Sequence, residues 1–162
     1  MDYKVLDHEA TLEDIKNYKY ENQKIGVIVH IEDKDGNILL QQRGVKSRDE
    51  NGLYEDIGGK FEECDLSFKD TIIREMEEEA GTDVKIELSD SIGIFHCYKK
   101  NIDINWIFII YYGRYIEGEF KIMEPDKCEG YKFFSYDESI SSDKVSDSCK
   151  FLIKSVKENY HE

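Results

Sequence analysis

Gly58-Gly59-Lys60-Phe61-Glu62 opens the stretch that decides the fold, and Arg74-Glu75-Met76-Glu77-Glu78-Glu79-Ala80-Gly81 closes it. The second half predicts a helix that Gly81 terminates. Ile72, Met76 and Ala80 recur at four-residue steps with Ile73 beside them, which makes one apolar stripe. Glu75, Glu78 and Glu79 stand at i, i+3 and i+4, so their side chains share a second face. The stripe can therefore be buried while the acids are presented. Ser67, with Asp70 three residues on, is the expected N-cap.

These acids stand at the wrong pole for helix stability. The C-terminal end of a helix carries partial negative charge and disfavours carboxylates. Like charges at i, i+4 add a further few tenths of a kcal/mol of repulsion per pair. A divalent cation would turn that repulsion into coordination by hard oxygen ligands. A solvated acidic face is the plainer alternative, and the charges alone leave both open.

The residues around the acids carry a resemblance. Gly59, Arg74-Glu75, a hydrophobic residue, a spacer, Glu78-Glu79, a spacer and Gly81 resemble the Nudix box. That motif runs Gly, five residues, Glu, seven residues, then Arg-Glu-hydrophobic-x-Glu-Glu-x-Gly-hydrophobic. The resemblance spans about Lys24 to Phe134. This sequence departs from the pattern in three places. Counting back from Arg74, the first Glu of the motif falls on Leu66, which cannot bind a metal. The interval from Gly59 to Arg74 is one residue longer than standard, and counting forward puts Asp65 in the acid's place. Asp65 or Glu63 could then swing in from the loop. Thr82 stands where the motif ends on a large apolar residue.

The resemblance implies an α+β fold, a Nudix-type α/β/α sandwich with a mixed sheet between helices. It implies a single domain over 1–162, with an N-terminal arm over 1–23, the box over 58–82 and a closing helix over 146–160. It implies Mg2+ or Mn2+, more than one ion, held by Glu75, Glu78 and Glu79. Arg74, turned away from the acidic trio, would position it through Glu side chains or carbonyls. Gly58, Gly59, Lys60 and Arg43 are the expected substrate-binding residues, with the glycine pair read as a turn that lets the backbone approach a ligand or another chain segment closely. Lys46 and Arg48 are further nearby cations, each weighed against an ordinary exposed charge.

The rest of the chain supplies strands and one more site residue. Lys24 to Ile31 and Ile38 to Arg43 read as a hairpin around Asp35-Gly36. Asp33, Asp35 and Asn37 alternate as in a calcium loop, but the Glu that such a loop needs is missing, and the turn reading wins. Thr11 with Asp14 predicts a short capped helix within an arm or edge strand. Val84 to Tyr98 and Ile104 to Ile116 read as two strands. In the second, Trp106, Phe108 and Ile110 alternate with Ile107, Ile109 and Tyr111, so both faces are expected in the core. His96 is read as structural, with a place in the cleft as the alternative. Glu124-Pro125-Asp126-Lys127-Cys128-Glu129 resembles the segment before the last strand of nucleotide-cleaving members, where an acid joins the metals or acts as base; Glu129 is the candidate. Cys149, Leu152, Ile153, Val156 and Tyr160 form the stripe of the closing helix.

Composition narrows the partners. A formal net charge of -14 over 162 residues argues against general nucleic-acid binding, which needs Lys and Arg patches. The longest strongly apolar run is too short to cross a bilayer. Cys64, Cys97, Cys128 and Cys149 are widely spaced with no Cys-x-x-Cys pair, so reduced thiols and a cytoplasmic location are expected. Members of the family are often dimers, which puts a homodimer among the expectations; the sequence itself leaves oligomeric state open.

The expected reaction is Mg-dependent hydrolysis of a phosphoanhydride in a nucleoside diphosphate linked to another group. A nucleoside triphosphate cleaved to monophosphate and pyrophosphate leads the list. Glu78 or Glu129 would take the proton from water. The alternatives are an ADP-ribose or nucleotide-sugar pyrophosphatase, an isopentenyl diphosphate isomerase-like enzyme, suggested by Gln41-Gln42-Arg43 and the run into Gly58-Gly59, and a non-catalytic nucleotide-binding module.

Overall fold

In the computed structural model, which describes residues 1–47 and 50–161, the chain folds around a mixed sheet of eight strands. β1 (Asp2–Val5) is an edge strand antiparallel to β6 (Lys85–Lys99), so the N-terminal arm is pinned to the sheet. α1 (Leu12–Ile15) starts where expected, with the Thr11 N–H donating to Asp14 Oδ2 at 2.8 Å. β2 (Gln23–Glu32) and β3 (Ile38–Arg43) pair as the hairpin through Ile31 and Glu32. Asp33 holds the turn by accepting from the backbone N–H groups of Asp35 and Asn37. β4 (Tyr54–Glu55) pairs with β3, and β5 (Ile57–Lys60) with the first half of β2. β7 (Ile104–Glu117) runs parallel to β2 and antiparallel to β6. β8 (Cys128–Phe134) closes on β3.

Two helices cover the two faces. α2 (Phe68–Ala80) packs with Val27, Val29, Leu39, Ile57, Ile107, Ile109 and Tyr111 on one face of the sheet. α4 (Asp147–Asn159) packs Leu152 and Val156 on Phe95, Ile110 and Tyr112, and Cys149 and Ile153 on Ile38, Leu40 and Phe134, on the other. β7 thus alternates between the two cores as its sequence predicts, and the α/β/α sandwich with a mixed sheet is the fold found.

Several local expectations change. Ile73 is 42% exposed, and the buried stripe of α2 runs through Phe68, Thr71, Ile72 and Ala80. Ile72 and Ala80 are in the core with Met76 packed against them, as expected, and only Ile73 falls outside the stripe. Gly58 and Gly59 lie within strand β5, and neither has the positive φ of a turn glycine. Both are needed for close approach. A Cβ on Gly58 would fall 2.4 Å from the Val27 carbonyl oxygen, and one on Gly59 would fall 2.1 Å from Glu75 Cδ. A short α3 (Tyr136–Ser141) also forms, capped by Ser135, which accepts from the Glu138 N–H. The described residues contain no helix long and apolar enough to cross a membrane.

Candidate active site

α2 brings the box residues to the edge of β5. Its N-terminus is fixed by Ser67, whose hydroxyl accepts from the Asp70 N–H at 3.1 Å. Its C-terminus is closed by Gly81, at φ +86°, whose N–H donates to the Glu77 carbonyl. The next carbonyls are capped from outside: the Tyr131 hydroxyl donates to Glu79 O, and the Lys121 N–H to Ala80 O at 2.8 Å. Donors at this pole satisfy orphan carbonyls and offset the crowding of acids there. They also tie the segment after β7 to the helix, which carries Glu124 toward the acids.

Arg74 organises the cluster. Its Nε and Nη2 each donate to one oxygen of Asp65 at 2.9 Å, a bidentate pair. Nη1 donates to Glu75 Oε1 at 3.0 Å and to Glu78 Oε2 at 3.2 Å, and Nη2 to the Lys60 carbonyl at 3.2 Å. Arg74 therefore faces the acids. The expectation that it turns away is wrong, because its guanidinium folds over the end of β5, while pairing with glutamates and a carbonyl is found. Asp65 is also committed: it accepts from Thr71 Oγ1 and from the Glu62 N–H, and the Arg74 guanidinium holds its carboxyl down at about 2. It braces Arg74 instead of swinging toward a metal. Leu66 is 93% exposed. Glu63 is exposed in the same loop.

The remaining acids lack matching counter-charge. Burial raises Glu75 to about 7, with the Glu78 and Glu124 charges adding to the rise and Arg74 opposing it. Burial raises Glu79 to about 8, with Glu75 and Glu124 again adding. A hydrogen bond from Gln41 and the charge of Arg43 pull Glu79 the other way. Glu79 Oε2 is buried without a hydrogen-bond partner. An orphaned carboxylate oxygen beside a second desolvated carboxylate fits a divalent cation, which accepts oxygen ligands and removes the repulsion. Among the described residues no group of three or more such side chains is drawn together tightly enough to hold an ion, because Glu75 and Glu78 are turned onto Arg74. Glu129 sits exposed at a bulge between Gly130, opposite Gln42, and Cys128, opposite Arg43. Glu124 is the loop acid whose charge reaches Glu75 and Glu79.

Next to this cluster lies a cavity of about 360 Å3. Gln41, Arg43, Gly58, Gly59 and Lys60 line it on the α2 side. Trp106 and Phe108 line it with stacked rings, centroids 4.9 Å apart and 9° between planes. On the α4 face of β7 these two residues are half-buried cavity wall, with Phe108 still packed against the core there. A Cβ at Gly26 would lie 2.9 Å from the Phe108 ring, so the bare glycine gives that ring its place. Deeper in are Glu55, Asp56, Lys99, Ser148 and Cys149. Lys99 Nζ donates to Glu50 at 3.1 Å, Glu55 at 3.4 Å and Ser148 at 2.9 Å, and Arg43 pairs with Glu55 at 3.5 Å. Burial opposes ionisation of both glutamates. Their mutual hydrogen bond, with Lys99 and Arg43, keeps Glu55 lowered and leaves Glu50 raised. Burial raises Asp56 to about 6.

Other expected site residues lie elsewhere. Lys46 pairs with Asp126 at 3.5 Å on the surface. Arg48 lies outside the described residues. His96 stacks on Tyr20 and hydrogen-bonds Asn105 at 2.9 Å, a structural role. None of the four cysteines is in a disulfide. The sequence offered signals for what was missed: Glu55-Asp56 interrupt an otherwise apolar strand just before the glycine pair, and the chain's single Trp starts the β7 alternation.

Comparison with known proteins bears on this geometry. The model of the NUDIX domain matches residues 22–152. A search of curated proteins gives no match. Among solved structures, the MutT NUDIX hydrolase from Burkholderia pseudomallei is 25% identical, with TM-score 0.69 over 84% of this chain and 99% of that one. The MutT protein from Methanosarcina mazei Go1 is 21% identical, with TM-score 0.74 over 87% and 97%. The NUDIX domain of NrtR from Shewanella oneidensis, solved with ADP ribose, is 18% identical, with TM-score 0.66 over 92% and 97%. With the glycine pair, the arginine and the glutamates of the box assembled at one edge of the sheet, this chain belongs to the Nudix family, as a pyrophosphohydrolase.

Proposed function

We propose that the chain hydrolyses a phosphoanhydride in a nucleoside triphosphate, releasing a nucleoside monophosphate and pyrophosphate. The observation that carries the reading is the partnerless Glu79 Oε2 beside Glu75, next to a cavity walled by flat aromatic rings. A phosphate chain at the first and a base in the second is the arrangement that uses both.

Glu75 and Glu79 would hold Mg2+ or Mn2+, and Glu78 would join them on leaving Arg74. When bound, the ions neutralise phosphate charge and acidify the attacking water. Arg43 and Lys60 line the path between cavity and acids and would hold phosphate oxygens. Glu78, half exposed at the end of α2, would take the proton as water attacks phosphorus and the bridging P–O bond breaks. Glu124 is the second candidate for that role in place of Glu129, because its charge is felt at Glu75 and Glu79. Arg74, braced by Asp65, would keep the glutamates in register.

One observation favours a second reading. Cys149 lines the cavity with Sγ 3.4 Å from Asp56 Oδ2, a thiol beside a carboxyl, as a proton-transferring isomerase would need. Burial and the neighbouring carboxylates hold that thiol well above its ordinary range, so it stays protonated. A panel of nucleoside triphosphates, ADP-ribose, nucleotide sugars and isopentenyl diphosphate, each with Mg2+ and with Mn2+, tests both. Release of monophosphate and pyrophosphate from a triphosphate is the expected result. Turnover confined to the isoprenoid diphosphate, or to the sugar-linked compounds, would overturn the proposal.

A further inference from the structure

The inner end of the cavity holds two carboxyls, and one of them has an oxygen left over. Asp56 is 8% exposed and lines it; Oδ2 accepts from the Cys149 thiol, while Oδ1 is buried with no hydrogen-bond partner. Beside it, Glu55 Oε1 already accepts from Ser146 at 2.8 Å, Lys99 at 3.4 Å and Ser148 at 3.4 Å. The lysine there is committed: Lys99 Nζ reaches Glu50, Glu55 and Ser148. Trp106 and Phe108 present a stacked aromatic wall in the same cavity, with Phe95 stacked beyond Phe108. A flat ring lying on that wall would bring its polar edge to the carboxyl end.

Buried polar groups demand partners, and the acceptor left over on Asp56 demands a donor. We propose that Asp56 reads the exocyclic amine of a nucleotide base, so that amino-bearing bases are preferred to their keto counterparts. The proposal rests on the nucleotide-hydrolase reading above and names the substrate class within it. A keto oxygen in the same place would set one acceptor against another, with no proton between it and the ionised carboxylate. A site built to accept a hydrogen bond from a substrate rejects analogues that lack the donor strongly, by more than a merely hydrophobic pocket can.

The test is kcat/KM of the full chain with Mg2+ for CTP against UTP and for ATP against ITP, two pairs in which an amine is exchanged for a carbonyl. The amine member should be preferred by on the order of 10²-fold in at least one pair, with the keto member preferred in neither. Any other pattern overturns the proposal. Asp56→Asn, which puts a donor where only an acceptor stood, should bring the preferred pair to a ratio near one or below while turnover persists. An unchanged ratio in a folded variant would remove Asp56 as the reader; where the variant does not fold, the wild-type ratios decide. Calorimetry with CMP, UMP, AMP and IMP, without metal, separates this proposal from the reading beneath it. Tighter binding of the amino monophosphate without any triphosphate turnover sinks the hydrolase and leaves the base readout standing. Turnover with equal binding within each pair does the reverse.

Discussion

Two sets of buried carboxylates stand on opposite sides of the cleft, and their charge is handled in opposite ways. Against α4, Glu50 and Glu55 are tied to Lys99, Arg43 and two serines, so that pair is close to neutral and its hydrogen bonds are made, while Asp56 beside it keeps one oxygen unpaired. Against α2, Glu75 and Glu79 are raised by burial and by neighbouring carboxylates, with a buried oxygen left unpaired. A buried ion network that closes on itself serves structure, whereas one left open stores repulsion that a ligand can relieve. The first is a finished floor, and the second is waiting for positive charge.

The sharpest way to break that contrast is Glu79→Gln. The amide is isosteric and relieves the repulsion, so the variant should fold at least as well as the parent. Its kcat should fall on the order of 10³-fold, since several kcal/mol of charge stabilisation in the transition state would go with the carboxylate. Near-full turnover in that variant would show that the α2 set is as inert as the α4 set.

Lys99→Met should do the opposite, harming stability first. Removing one partner of a buried pair leaves uncompensated charge, here on Glu55, and the cost is on the order of 3 kcal/mol. For a chain of this size that lowers Tm by about 6–12 °C. Adding Glu55→Gln should recover part of the loss, because the unpaired charge is removed with it. A Lys99→Met protein as stable as the parent would mean that the floor is not closed by this lysine.

A smaller effect comes from pH. Glutamate in an unfolded chain titrates near about 4.3, while Glu75 and Glu79 are raised to about 7 and about 8. Between those limits the folded chain keeps protons that the unfolded chain has lost. Stability from these two groups is therefore fullest at the acid end of the window and declines as pH rises through 7 and 8. From pH 7 to pH 8 alone, metal-free protein should lose about 1–2 kcal/mol of stability, since each group contributes at most about 1.4 kcal/mol per pH unit and levels off above its folded value. Mg2+ should restore most of it at the alkaline end, and Glu79→Gln should flatten the profile. A metal-free Tm that is level across the window would contradict the open cluster.

The contrast also marks where sequence reading stops. The α2 set is legible because helix periodicity puts Glu75, Glu78 and Glu79 on one face within a single turn or so. The α4 set is invisible because Lys99 meets partners 44 and 49 residues away, on β4 and in the loop before it, whose placement no local pattern specifies. The hairpin, the two long strands and the closing helix follow from alternation and stripes of Val, Ile and Leu. α3 escaped notice because it is six residues long, although Ser135 and Glu138 stand at capping spacing. Trp106 and Phe108 escaped because alternation says which face a residue takes and not whether anything covers it there.

The smallest expected effect bears on the departure from the motif that looked most damaging. If the α2 set lacked a ligand, Leu66→Glu should supply it and raise turnover. The geometry says otherwise. Leu66 is 93% exposed, and the loop with its extra residue has already delivered Asp65 to Arg74 through two 2.9 Å hydrogen bonds. A carboxylate at 66 would stand in solvent, where surface substitutions change stability by about 0.5 kcal/mol or less. Leu66→Glu should leave kcat within about twofold of the parent, by the same figure. Asp65→Asn should lower it by more, with KM less affected, because the neutral amide holds the Arg74 guanidinium through weaker hydrogen bonds and loosens its grip on Glu75 and Glu78. A large gain from Leu66→Glu would mean that the unpaired oxygen on Glu79 marks a missing side chain of this protein, and the two carboxylate sets would then differ by one mutation instead of by design.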